Sequence, residues 1–249
     1  MTGRFEGQAA IVTGAGSGIG EAVAHELARN GAQVLLVDLN GANAEAVAGA
    51  IRGEGGSALA FAADIAVEAQ CRAAVDKAVD AFGALHLAVN NAGISGRFAP
   101  LEAIDAGEWR KVMSVNIDGL FHGLKYQLPA IERAGGGAIV NTASIYAHLG
   151  LRGFDSYTAS KHAVLGLTRS VATEYGTRGV RINAVSPGPI LTPLTRGEKE
   201  QTDAVAAMTA MKRMGQPGEI AKAVAFLLSP DASFITGAEI VVDGGVSLS

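Results

Sequence analysis

The stretch Thr13-Gly14-Ala15-Gly16-Ser17-Gly18-Ile19-Gly20 decides how this chain is read. It follows the apolar run Ala9-Ala10-Ile11-Val12 and opens a segment, Gly20 to Asn30, in which Ala22, Val23, Ala24, Leu27 and Ala28 recur at helical spacing. Glycines packed this densely let a ligand approach the backbone closely. The N-terminus of the following helix offers free N–H groups and a partial positive charge to an anion such as pyrophosphate. The spacing is Gly-x-x-x-Gly-x-Gly. It is neither Gly-x-Gly-x-x-Gly nor a P-loop, which needs Gly-Lys-Ser/Thr. Taken alone, the loop can also be read as a plain glycine-rich turn; the strand before it and the helix after it weigh further toward a nucleotide cradle.

The same strand-then-helix rhythm continues outward. Short, nearly continuous apolar runs appear at Val34–Val37, Leu59–Ala62, Leu85–Val89, Ala138–Val140, Val180–Val185 and Ile240–Val242. Such runs suit strands covered on both faces, as in a parallel sheet. Between them, Ala42–Arg52, Val67–Phe82, Ala106–Arg133, Ser156–Thr177 and Pro217–Leu228 read as helices. The expected fold is α/β: one doubly wound, Rossmann-type domain over residues 1–249, with about seven parallel strands and helices on both faces. Right-handed crossovers put the C-terminal ends of all strands on one edge, where ligands bind. The stretch from Pro187 to Met214, with three prolines and Met208, Met211 and Met214, is long for a connection, and 189–214 reads as a substrate lid.

Composition narrows the class. The chain has 249 residues, 33 of them glycine, roughly twice the usual share. Many of these, such as Gly31, Gly83 and Gly179, fall where helices hand over to strands, as left-handed caps should. The single cysteine, Cys71, excludes an intrachain disulfide scaffold and a cysteine-built zinc site, and no metal is expected. A net charge of −4 without a basic block argues against nucleic acid as a partner. The N-terminus lacks a signal-peptide core. The longest uncharged run, Ala134–Leu151, is interrupted by a glycine triplet and polar residues, so no membrane association is expected and the cytoplasm is the expected location.

Two further features carry chemistry. Asp38 ends the second apolar run, where an acid hydrogen-bonds the adenosine ribose of a dinucleotide; Asp38-Leu39-Asn40-Gly41 is also good turn chemistry. A carboxylate there repels a 2′-phosphate, and no Arg or Lys in Gly14–Gly20 or at Leu39–Asn40 attracts one, which points to NAD over NADP. Tyr157 and Lys161 stand at i and i+4 on one helical face. A lysine beside a phenol favours phenolate, which prepares a tyrosine to move protons. Ser144 lies just past the strand Ala138–Val140, at the ligand edge.

With these residues in place, the sequence resembles the classical short-chain dehydrogenase/reductase family over essentially its whole length. The motifs, in family order, are Thr13-Gly14-x-x-x-Gly18-Ile19-Gly20, Asp64-Ile65, Asn90-Asn91-Ala92-Gly93, Asn116, Ser144, Tyr157-x-x-x-Lys161, and Pro187-Gly188 followed by Thr192. Each is weak singly; the ordered set is specific. The resemblance implies that Gly14, Gly18 and Gly20, with Ser17 and Ile19, cradle the pyrophosphate. Asp38 and Leu39 hold the adenosine ribose, and Asp64 and Ile65 line the adenine pocket. Asn91, Ala92 and Gly93 pack along the cofactor. Pro187, Gly188, Ile190 and Thr192 fix the nicotinamide. It implies Tyr157 as general acid/base, Lys161 lowering its pKa and binding the nicotinamide ribose, Ser144 polarising the substrate oxygen, and Asn116 helping to hold a water that relays protons from Lys161. It implies a homotetramer built on the Ala106–Arg133 and Ser156–Thr177 helices and on the C-terminal Asp243-Gly244-Gly245 region; Phe121, Leu124, Val164 and Leu167 on those helices read equally as intrachain core.

The implied activity is NAD(H)-dependent interconversion of a secondary alcohol and a ketone. Ile145, Tyr146, Leu149, Leu151, Phe154, Ile190, Leu191 and Leu194 suit a largely apolar small molecule. Arg97 and His148 are the polar exceptions, each either a substrate contact or an ordinary loop residue. Alternatives are a 3-oxoacyl-carrier-protein reductase, against which Asp38 and the acidic balance argue; a sugar dehydrogenase; a sugar-nucleotide epimerase, for whose substrate domain the chain leaves no room; and a non-catalytic cofactor sensor, which the intact Ser144, Tyr157 and Lys161 oppose.

Overall fold

The computed structural model describes residues 3–193, 195 and 199–248; Leu194, expected to line the pocket, lies outside them. The strands are β1 (Ala9–Thr13), β2 (Gln33–Asp38), β3 (Ser57–Ala62), β4 (Leu87–Asn90), β5 (Gly137–Thr142), β6 (Val180–Pro187) and β7 (Glu239–Val242). They form one sheet in the order β3-β2-β1-β4-β5-β6-β7, and every pairing is parallel. The helices are α1 (Gly18–Arg29), α2 (Gly41–Gly53), α3 (Glu68–Phe82), α4 (Ala106–Met113), α5 (Gly119–Arg133), α6 (Asp155–Tyr175), α7 (Lys199–Met208) and α8 (Pro217–Leu228). This is the expected doubly wound architecture.

The continuous apolar runs become strands because both faces are covered. Successive side chains point to opposite faces. Val12, Leu36, Val89 and Val140 join Val23 and Leu27 of α1 and Ile220 and Val224 of α8 in one core layer. Ile11, Leu35, Ala88 and Ile139 join Val75 of α3, Leu124 of α5 and Val164 of α6 in the other. Each such side chain, once fully buried, contributes roughly 1.5–3 kcal/mol. Arg181 of β6 ties the sheet to α8: its guanidinium donates to the carbonyls of Leu227, Leu228 and Ser229 at 2.7, 3.1 and 3.0 Å, satisfying acceptors that a helix end leaves open. Among the described residues no helix is long and apolar enough to cross a membrane.

Two sequence expectations are refined. Ala106–Arg133 is helical throughout, but a π-helical turn, Ser114–Asp118, lies within it between α4 and α5. Such a turn carries an extra residue and re-aims the side chains around it; here it buries Asn116 (4% exposed). The 189–214 connection is not irregular throughout. It contains α7, and its beginning is pinned by an isolated bridge between Ile190 and Gly215, with Leu191 N donating to Gly215 O and Gly215 N to Pro189 O, both at 2.9 Å.

Gly137 at the head of β5 is held by backbone proximity. A Cβ there would stand 1.9 Å from the carbonyl oxygen of His86, whose partner is the N–H of Ala138. Gly137→Ala forces β4 and β5 apart and is expected to cost roughly 3 kcal/mol, lowering the thermal midpoint by roughly 6–12 °C. Gly49, within α2, has only the far end of Arg52 near a new Cβ. Gly49→Ala is expected to stabilise by up to about 1 kcal/mol through helix propensity. Calorimetry of the two variants reads both signs.

Candidate active site

The chain winds outward from β1 to β3 and then returns to place β4 on the other side of β1. The loops after β1 and β4 therefore part, leaving the crevice where such folds bind ligands. Polar contacts sew its floor together. Thr13 Oγ1 accepts from the N–H groups of Asn91 and Ala92 at 3.0 and 3.1 Å and donates to Val89 O. The Asn91 carboxamide donates to Thr13 O at 3.0 Å and Gly14 O at 3.3 Å.

The glycine loop is shaped by what its glycines approach. Cβ atoms at Gly14 and Gly20 would meet Ala92 Cα at 2.9 Å and Gly14 O at 2.1 Å; one at Gly18 would press on Thr192 at 3.3 Å. Gly14 and Gly18 also have φ near +60°. Ser17 caps α1 without a side-chain hydrogen bond, so the helix's first amides, which have no intrahelical partner, have no capping acceptor from it. Asp38 closes the outer wall: its carboxylate accepts from Gly16 N at 2.9 Å and Asn40 N at 2.8 Å. A cradle of close-approaching glycines, a helix N-terminus and an acid at the end of β2 fits a dinucleotide.

Other residues expected at this cradle fall along the same edge. Leu39 is 75% exposed beside Asp38. Asp64 caps the turn into α3, accepting from Ala66 N at 2.9 Å. Ile65 packs on Gly119, and its carbonyl accepts from Cys71 Sγ at 3.2 Å. Burial pushes the Cys71 thiol up to about 11, so it is not a ready nucleophile. Beyond Pro187, Gly188 donates to Val242 O at 3.0 Å and passes so close to Asp243 that a Cβ would lie 2.5 Å from it. Thr192 is held by Thr195, whose hydroxyl accepts from Thr192 N at 3.0 Å.

Tyr157 and Lys161 sit on the first turns of α6, and Ser144 stands between β5 and the short 3₁₀ turn Ile145–Ala147. Lys161 is buried (5% exposed), its ammonium 2.8 Å from Thr142 O and 5.6 Å from the centre of the Tyr157 ring. Desolvation pulls its pKa down to about 8. Burial raises the Tyr157 phenol; the Ser144 hydroxyl, hydrogen-bonded to it, opposes that shift, and the nearby Tyr146 phenol adds to it. The expected lowering of Tyr157 by Lys161 is therefore not the balance here. The buried ammonium is itself desolvated and is held on the Thr142 carbonyl.

Asn116 is anchored through its side chain. Its Oδ1 accepts from Ile94 N at 2.9 Å, and its Nδ2 donates to Ile94 O and to Ser160 Oγ, both at 2.9 Å. Ser160 in turn donates to Tyr157 O at 2.7 Å. The carboxamide thus ties the loop after β4 to the turn of α6 that carries Tyr157, and both its amide hydrogens are engaged. A water at Asn116 would have the main-chain carbonyl, rather than the carboxamide hydrogens, as its partner.

The outer wall is apolar. The Phe98 and Phe154 rings stand 5.5 Å apart, and Tyr146 meets Tyr157 edge-on at 6.5 Å. Phe98, Leu101 and Leu149 are exposed at the rim. Arg97 does not face this space: it grips Glu108 at 2.7 and 3.0 Å and Ala103 O at 2.6 Å. His148 pairs with Glu239 at 2.5 Å. Leu124 and Val164 are core, whereas Phe121 is 49% exposed. Sequence reasoning missed a buried amide ladder behind the site, in which Asn90 bonds Gln127 and Asn141, and Asn141 bonds Thr168, each near 3.0 Å. An asparagine or glutamine within an apolar run is its faint sequence signal.

Because Lys161 titrates lower in the folded chain than the usual 10.5, the folded state binds fewer protons than the unfolded one between pH 8 and 10.5. This group therefore adds stability as pH rises through that window. Chemical denaturation across it is expected to show a smaller rise for Lys161→Met than for the wild type, whatever the offset at neutral pH.

The family described as enoyl-(acyl carrier protein) reductase matches residues 14–247. Cyclohexanol dehydrogenase of Acinetobacter sp. (strain SE19) is 48% identical over 98% of this chain and 96% of its own. The crystal structure of levodione reductase superposes with a TM-score of 0.95 at 38% identity, covering 98% of this chain and 99% of that one. That of a 3-ketoacyl-(acyl-carrier-protein) reductase from Brucella melitensis, complexed with NADH, does so at 0.91 and 37%, with the same coverage. The chain belongs to the classical short-chain dehydrogenase/reductase family.

Proposed function

We propose that this protein is an NAD(H)-dependent dehydrogenase that interconverts a ring-borne secondary alcohol and its ketone, with Tyr157 as the proton-transferring group. The carrying observation is the meeting of Ser144, Tyr157 and Lys161 beside the glycine cradle. The nicotinamide cofactor accepts or returns a hydride at its ring; the chain's part is to orient the partners and move the proton. In reduction the Tyr157 hydroxyl gives its proton to the carbonyl oxygen, and in oxidation the phenolate takes the alcohol proton. Ser144 Oγ donates to that same oxygen. Lys161, held on the Thr142 carbonyl, would hold the nicotinamide ribose. A phenol raised by burial suits reduction near neutral pH and makes oxidation faster at alkaline pH. Asn116 fixes the Ile94 loop against α6.

The apolar wall of Phe98, Phe154 and Tyr146 supports a carbocyclic substrate, in line with the cyclohexanol of the 48% identical relative. A 3-oxoacyl-carrier-protein reductase is the second reading, favoured by the Brucella likeness; its lower identity of 37% weighs against it. The Asp38 carboxylate, already holding Gly16 and Asn40, supports NAD over NADP, since a 2′-phosphate would meet a negative charge. A cytoplasmic homotetramer completes the proposal. Exposed Phe121 on α5 and Val241 on β7 supply apolar faces for subunit contact.

Following NADH absorbance with cyclohexanol, linear alcohols and a 3-oxoacyl thioester tests the substrate class; exclusive turnover of the thioester overturns it. Tyr157→Phe is expected to bind NADH, by fluorescence titration, while turnover falls about 10²–10⁴-fold. Near-normal turnover in that variant rejects the assignment. Asp38→Ala is expected to bring kcat/KM for NADP toward that for NAD, and a wild type that already prefers NADPH contradicts the role given to Asp38.

A further inference from the structure

Four residues after Ser144, His148 ends the turn that follows it, and its partner is distant in sequence. His148 Nε2 lies 2.5 Å from Oε2 of Glu239, the first residue of β7. The other oxygen of that carboxylate, Oε1, accepts from the hydroxyl of Ser186. Ser186 is wholly buried and directly precedes Pro187-Gly188. From α6, the helix that carries Tyr157 and Lys161, Arg169 Nη2 approaches the same carboxylate at 3.8 Å. The Glu239 side chain is only 9% exposed, while those of His148 and Arg169 are about half exposed. His148 and Arg169 face Glu239, with Ser186 facing it from β6.

We propose that Glu239 is a positioning residue: one buried carboxylate joins the segment after Ser144, the strand end that leads into Pro187-Gly188, and the helix of Tyr157. It touches neither substrate nor cofactor. Its work is to hold the substrate-side loop and the cofactor-side strand in one register, so that the pocket wall from Tyr146 to Phe154 keeps its place relative to the reacting oxygen. Charge-assisted hydrogen bonds suit this task because they are short and directional. Burial makes a buried charge costly to leave unpaired, so the carboxylate holds its partners strongly.

The proposal rests on the alcohol dehydrogenase reading only for its kinetic arm. The experiment uses the full chain in three forms, wild type, His148→Ala and Glu239→Gln, with cyclohexanol as the probe substrate or, if that is not turned over, the best alcohol of the panel. His148→Ala frees only the loop. Its alcohol KM is expected to rise about tenfold at pH 6, with kcat and the KM for NAD within twofold of wild type. Glu239→Gln has one acceptor oxygen where two are needed, and is expected to raise the KM for both alcohol and NAD. Hydrogen exchange of the amides of residues 145–154 is expected to quicken in both variants, a readout that needs no turnover and stands even if no alcohol is a substrate. Wild-type alcohol KM in His148→Ala together with unchanged exchange over 145–154 overturns the proposal. Because His148 is half exposed, that variant remains decisive if Glu239→Gln does not fold.

Discussion

The structure depends on how a parallel sheet closes its own opening. Winding outward from β1 and returning to β4 leaves two loops diverging at the centre of the sheet, and backbone groups there have lost their strand partners. A side chain large enough to fill the gap would block the ligand. The chain meets both demands with Thr13 and Asn91: one hydroxyl and one carboxamide satisfy five backbone groups across β1 and β4, and glycines keep the space above them clear. Leaving such buried groups unpaired would cost roughly 1–3 kcal/mol each, so the ligand crevice and the stability of the sheet centre share one set of contacts.

Behind that seam the polar groups are buried in proportion to the fixity they need. The ladder from Gln127 through Asn90 and Asn141 to Thr168 crosses from α5 through β4 and β5 to α6. Its bonds have little tolerance for sliding, because a slip would orphan several partners at once. Asn116 and Ser160 continue the same logic toward Tyr157. Lys161 is the one group in this set that is charged and buried, and its pKa near 8 records the cost. Its orientation toward the Thr142 carbonyl makes its position a property of β5 and α6 together, so strand register governs where the charge sits.

Features set by local pattern were legible in the sequence. Continuous apolar runs marked the strands, because burial on both faces leaves few polar positions, and Asn90, Asn141 and Arg181 among them are hydrogen-bonded. Pro217 and Leu228 bound the last helix as they were read. The glycine loop and the Tyr157–Lys161 spacing each declare themselves within a few residues. Features made by long-range partnership were not. The π turn at Ser114–Asp118 interrupts a stretch whose composition remains helical throughout, and what stabilises it, the grip of Asn116 on Ile94 and Ser160, lies outside the helix. α7 was hidden within a segment flanked by prolines. Arg97 and His148 looked like polar residues facing a pocket because Glu108 and Glu239 were invisible as their partners. Nothing local marks Glu239, which directly precedes the run Ile240–Val242.

This division has a consequence for how the fold accommodates different substrates. The seam, the ladder and the clamp fix the proton-moving group and the cradle, and all of them lie in or behind the sheet edge. The apolar groups at the rim, Phe98, Leu149 and Phe154, stand on loops outside that set, and the two phenylalanine rings meet each other there. An apolar pocket separates substrates differing by one methylene by only about 1–3 kcal/mol. Rim changes therefore shift preference in small steps without disturbing the chemistry, whereas any change in the buried hydrogen-bonded set alters every substrate alike. Selectivity is variable in this architecture because it is built from weak, separable contacts, and catalysis is constant because it is built from strong, shared ones.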